Sequence, residues 1–103
     1  MNYQWFSKPR VGGSSPPGRA IFMYFVYLLI SNDKHKHTYV GYTKDLNNRL
    51  KLHNSGKGAK FTKGRSWRII YFRRFNSKSE ALKNEYKLKK DYFYRKKIKI
   101  QNL

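Results

Sequence analysis

The chain has 103 residues, no cysteine, and 24 Lys and Arg against five Asp and Glu, a formal net charge of +19. That length suits one domain, and the lack of cysteine excludes a disulfide framework and any thiolate metal site. Self-repulsion on this scale opposes a compact fold and calls for a polyanionic partner. Nucleic acid comes before a ribosome-bound or solubilised surface or an anionic membrane, because aromatic residues are interleaved with the basic ones.

Residues 1–22 differ from the rest. The segment SKPRVGGSSPPGRA combines Gly, Ser and Pro without an apolar period, which predicts a flexible or disordered tail. Lys8, Arg10 and Arg19 without acids keep a transit peptide as the other reading. The patterned part begins at Met23, a candidate true start. The longest apolar run, IFMYFVYLLI, is too short for a membrane span. Its aromatic and β-branched content predicts that it includes a buried strand.

In chain order, MYFVYLLIS reads as a strand, NDKHK as a polar hairpin turn and HTYVGYT as a second strand. Thr43 is expected to cap a helix over about residues 44–54, with Asp45 in its first turn. Leu46, Leu50 and His53 fall on one face of that helix. NSGKGAKFTKGRS is a Gly- and Lys-rich loop, and WRIIYFRRF a third strand. NSKSEALKNEYKLKKD predicts a second helix, with Ser77 and Glu80 at capping-box spacing. Ala81, Leu82, Glu85, Tyr86 and Leu88 lie near its apolar side. The basic, aromatic end YFYRKKIKIQNL reads as a helical extension or a loose strand. The order ββαβα gives an α+β domain: a small three-stranded antiparallel sheet flanked by helices over residues 23–91, followed by a basic extension over 92–103.

Glu85 shares a helix face with apolar residues, where a carboxylate is costly unless paired or bound to a metal. An ion pair with Lys89 one turn on is the plainer account. Arg49 and His53 lie four residues apart on the first helix. They are either a solvated face or a guanidinium for a phosphate beside an imidazole for proton transfer. Tyr27 and Tyr39 sit on the two hairpin strands, as cross-strand packing or as hydroxyls facing one cleft. Gly41 marks a turn, a bulge or a close approach of backbone to ligand. His35 and His37 in the turn have no carboxylates nearby and are not expected to hold a metal. No P-loop, Gly-x-Gly-x-x-Gly, Gly-x-Ser-x-Gly or zinc-finger pattern occurs.

Together these residues resemble the GIY-YIG nuclease family, and within it the small standalone bacterial members that are excinuclease-subunit-C-like. The first signature appears as Phe25-Val26-Tyr27 and the second as Tyr39-Val40-Gly41. Arg49, His53 and Glu85 follow in order, and HNSGKGAKFTKGRSWRIIYF looks like the subgroup's connecting loop and third strand. Two positions depart from the family pattern: Phe25 replaces a glycine, and Tyr42 stands where excision-repair members carry lysine.

The resemblance implies a phosphodiesterase acting on DNA with one divalent cation, Mg²⁺ or Mn²⁺, held by Glu85. Tyr39 would be the general base that activates water, or would pass its proton along a chain; an unperturbed phenol titrates near ~10 and needs positive charge close by. Arg49 would steady the phosphate, and Tyr27 and His53 would orient nucleophile and substrate. Gly41, Tyr42, Lys44, Lys57, Lys60, Lys63 and Arg65 would meet the nucleic acid. DNA is the expected partner, with RNA kept beside it, and neither a membrane nor a small-molecule cofactor is expected. The expected state is a monomer or weak dimer in the bacterial cytoplasm, at the nucleoid when bound. The alternative is a nucleic-acid-binding module with weak or no catalysis. A basic ribosomal-RNA-bound protein is a third reading.

Overall fold

The computed structural model describes residues 23–103; the expected tail, residues 1–22, lies outside the described residues. The elements run β1 (Tyr24–Ser31), β2 (Thr38–Thr43), α1 (Leu46–Asn54), β3 (Trp67–Phe75), α2 (Lys78–Lys90) and α3 (Tyr92–Gln101). They form a three-stranded antiparallel sheet in the order β2-β1-β3. The α+β architecture matches the sequence expectation.

β1 is central, and its composition dictates the layers. Leu28, Leu29 and Ile30 are all fully buried, so consecutive residues are covered on opposite faces. Val26, Leu28 and Ile30 join Val40 and Ile70 under Ala81 and Leu88 of α2 and Ile98 of α3. Tyr27 and Leu29 join Trp67 and Ile69 under Leu46 of α1. A bulge opposite Leu28 and Leu29 leaves Ile70 without a partner in the register and puts the consecutive Ile70 and Tyr71 on one face, with the α2 core.

The caps refine the expected boundaries. Thr43 does not cap α1. It still pairs with Phe25 in the ladder, and a helix cannot start until the chain leaves the sheet. Asp45 is the cap, accepting from the Asn48 amide at 3.1 Å, while the Thr43 hydroxyl accepts from the Asp45 amide at 3.1 Å. Ser77 caps α2 as expected, accepting from the Glu80 amide at 3.1 Å. Leu82 and Tyr86 are exposed, because α2 touches the sheet only along the narrow stripe of Ala81 and Leu88.

The chain's end is a helix, not a strand. Asp91 closes α2 and caps α3, accepting from the Tyr94 amide at 3.1 Å. Arg95 donates to the carbonyls of Lys89 and Leu88 at 2.8 and 3.3 Å, locking the corner between the two helices. Ile98 then fills the core. Ile98→Ala should cost about 2–5 kcal/mol in urea unfolding, within one cooperative transition; a value near zero would make α3 a loose appendage.

Candidate active site

The antiparallel register pairs Tyr27 with Gly41 and Leu29 with Tyr39, so the two tyrosines are diagonal neighbours on one face. Their ring centroids lie 6.5 Å apart. α1 crosses that face and lowers His53 onto them, its ring edge-on to Tyr39 at 5.0 Å. His53 is only 1% exposed, so each of its nitrogens needs a partner from the protein.

Both have one. Tyr27 Oη lies 2.8 Å from Nε2, and Thr62 Oγ1 lies 2.8 Å from Nδ1. The Thr62 hydroxyl has one hydrogen, and it donates that to the Ala59 carbonyl at 3.0 Å. Oγ1 therefore accepts from His53, which places the imidazole proton on Nδ1. Nε2 is then bare, and the Tyr27 phenol must donate to it. Charges agree with this assignment. Burial lowers the His53 pKa, and the Arg49 guanidinium lowers it further, so the ring is neutral. Burial raises the Tyr27 pKa well above the usual phenol value; Tyr39 and Glu85 add to this and Arg49 opposes it. Tyr27 thus keeps its proton, and Arg49 and Glu85 both act on this one phenol.

Two glycines make the cluster possible. A Cβ on Gly41 would land on the Tyr27 phenol, and one on Gly58 would strike the His53 imidazole and come within 2.9 Å of His53 Cα. The first corrects the sequence reading: the space above Gly41 is taken by Tyr27, not left open for substrate.

Glu85 is set apart by elimination. Among the five acids, Asp33 organises the hairpin, accepting from the Ser31 hydroxyl at 2.7 Å and pairing with Arg65 at 3.3 Å. Asp45 and Asp91 cap helices, and Glu80 lies in the first turn of α2. Glu85 has no such backbone duty. Its side chain is 19% exposed and pairs at 3.5 Å with Lys89, the plainer account made visible.

The expected nucleic-acid set divides. Lys57, Lys60 and Lys63 are exposed on the loop that carries Thr62. Arg65 is committed to Asp33 and to the Phe61 carbonyl, 3.2 Å away, and ties this loop to the hairpin. Tyr42 lies on the opposite face of the sheet, stacked on Tyr24 at 6.2 Å, with the exposed Lys44 ammonium 5.7 Å from the Tyr24 ring. The alternation of β2 forces this, since Tyr42 follows Gly41 by one residue. His35 stacks on His37 at 5.4 Å, and the described residues hold no cluster of three or more metal-ligating side chains.

Thr62, Ala59 and Gly58 were not singled out from the sequence, although all lie in GKGAKFT. Their signal was faint: a glycine and a hydroxyl within ten residues of a histidine on a buried face.

This geometry sits within a known family. The chain belongs to the GIY-YIG family, whose catalytic-domain model matches residues 23–99. That domain defines nucleases, which act on nucleic acids. Among similar proteins, a UPF0213 protein of Staphylococcus epidermidis is 45% identical over 78 residues, 75% of this chain and 92% of that one. One from Oceanobacillus iheyensis is 43% identical over 67 residues, 64% of this chain and 76% of that one. The solution NMR structure of a UPF0213 protein from Bacillus halodurans is 39% identical, covering 77% of this chain and 83% of that one, with a TM-score of 0.45.

Thr62→Val should leave the His53 Nδ1–H unpaired and cost about 1–3 kcal/mol in chemical unfolding, with Thr62→Ser largely restoring stability. Equal stability of Thr62→Val and wild type would refute the relay. The lowered His53 pKa also has a sign. Below the usual value of 6.5 the unfolded chain binds a proton that folded His53 resists. Stability should therefore fall as pH drops below about 6.5 towards the lower folded pKa. His53→Gln should flatten that part of a pH series of melting temperatures.

Proposed function

We propose that the chain is a metal-dependent DNA endonuclease that hydrolyses phosphodiester bonds at a single active site, in DNA repair, processing or recombination. The observation that carries this reading is the buried Tyr27–His53–Thr62 relay, with Arg49 and Glu85 both bearing on Tyr27. A core histidine needs its hydrogen-bond partners but not a guanidinium and a carboxylate as well; a phosphate site uses both.

The roles follow from protonation. Tyr27 holds its proton and points it at His53, so it positions and does not act as base. Tyr39, the half-buried member of the pair, acts as tyrosinate, its own proton first released to solvent: it takes the proton from the attacking water as the new P–O bond forms and the bond to the leaving oxygen breaks. Arg49 forms no ion pair among the described residues and is suited to the charge that builds on the phosphate. His53 keeps Tyr27 in register.

Glu85 fits a divalent cation of one kind. A single carboxylate suits a hard ion, Mg²⁺ or Mn²⁺, that keeps most of its waters and gains phosphate oxygens from the substrate. It does not suit a tightly caged structural ion. Its partner Lys89 is 55% exposed and free to swing into solvent. When bound, the cation supplies charge stabilisation for the leaving oxygen.

DNA is the proposed partner, with RNA the second polyanion to test, and the protein works as a monomer or weak dimer in the cytoplasm, at the nucleoid when bound. No described helix is long and apolar enough to cross a membrane. The Glu85–Lys89 pair favours a second reading, a binding module with weak or no catalysis. A cleavage assay separates the two. Supercoiled plasmid should be nicked with Mg²⁺ or Mn²⁺ and not with EDTA. Arg49→Ala and Glu85→Gln should bind DNA yet cut about 10²–10³-fold more slowly. Tyr39→Phe should lose more activity than Tyr27→Phe. Binding without cutting by the wild type would establish the second reading.

A further inference from the structure

α2 has two working flanks. At about 100° per residue, Glu85 projects to one side of the Ala81–Leu88 stripe, while Asn84, Lys87 and Asp91 project to the other. The second flank faces β3 and lines an open cleft of about 250 Å³ that shares none of the residues of the Tyr27–His53 cluster. Its floor is apolar, made by Val26 and Leu88, and its walls are aromatic: Tyr71, Phe75 and Tyr94. Tyr71 and Tyr94 meet edge to face at 5.9 Å.

The rim is cationic. Arg73 lies over the Phe75 ring, its guanidinium carbon 5.3 Å from the centroid, and is exposed, as is Lys87. The one carboxylate there, Asp91, already accepts from the Tyr94 amide as the cap of α3. Asn84 donates to the Glu80 carbonyl at 2.8 Å and keeps its amide oxygen to offer as an acceptor. Flat aromatic walls, a polar amide and two exposed cations match the parts of one nucleotide: a base that stacks, an edge that forms hydrogen bonds and a phosphate.

We infer that the cleft between β3 and the α2–α3 corner is a second nucleic-acid site, which takes a single unpaired nucleotide of a bound strand. The inference deepens the nuclease reading and rests on the chain's binding nucleic acid. A base stacked and paired in a duplex cannot enter the cleft, whereas one in a gap, a flap or a single strand can. The cleft would thus confer a preference for nucleic-acid structure on a domain with little surface for reading sequence.

The test is equilibrium binding in EDTA, where no cleavage occurs, with a short fluorescent single strand and its fully paired duplex compared by anisotropy. Arg73→Gln/Lys87→Gln should weaken single-strand binding about tenfold and lower its salt slope by about 0.7, the share of one phosphate no longer neutralised. Duplex binding should change about twofold, no more than in Lys78→Gln/Lys83→Gln, which removes the same charge from elsewhere on α2. Asn84→Trp fills the cleft without changing charge and should also weaken single-strand binding severalfold. Equal losses on both DNA forms would overturn the inference, as would losses matching the control pair or wild-type single-strand affinity in Asn84→Trp. Plasmid nicking with metal is judged separately, so the nuclease reading and the cleft stand or fall independently.

Discussion

The hydrogen bond from Tyr27 to His53 is the constraint on which the site depends. A phenol and an imidazole are buried together, and neither can turn to water for a partner. The arrangement persists only because each proton has one destination: Tyr27 to His53, His53 to Thr62, Thr62 to the Ala59 carbonyl. Removing any link strands a polar group in an apolar layer. The loop between α1 and β3 is therefore as much part of the site as the hairpin. It is fastened at its far end by Arg65 on Asp33 and by Asn54, whose side chain accepts from the Trp67 amide at 2.6 Å.

The central strand makes this cluster compatible with a fold of only 81 described residues. Covering β1 on both faces gives a small domain two cores from one sheet. One core supports α2 and α3, and the other is partly given over to Tyr27 and His53. Few acids remain to offset the charge. Three of the five, Asp33, Asp45 and Asp91, serve backbone or hairpin geometry and Glu80 lies in the first turn of α2, so the cationic surface stays largely uncompensated within the chain. Glu85, the fifth, lies where its charge is felt by Tyr27.

The same sheet accounts for two surfaces with separate chemistry. Its α1 face carries neutral, proton-ordered groups beside Arg49. Its other face, at the α2–α3 corner, carries aromatic walls and a basic rim. α2 connects them, with Glu85 on one flank and Lys87 on the other.

Much was legible from the sequence alone. Aromatic and β-branched runs bounded by polar turns marked three strands, the capping-box spacing marked α2, and the ordered residues Tyr27, Tyr39, Arg49, His53 and Glu85 pointed to one family. These are local signals, carried by residue type and short spacing. The sequence could not assign Gly41 to the Tyr27 ring, because that depends on strand register. Nor could it show that Thr62 sets the His53 tautomer, which depends on how a twelve-residue loop folds back over α1. The helical state of the basic end was likewise decided by packing, with Ile98 in the core and Arg95 on the carbonyls of α2. Local pattern determined which elements form and which side chains are present; tertiary contact decided which of them meet, and in which protonation state.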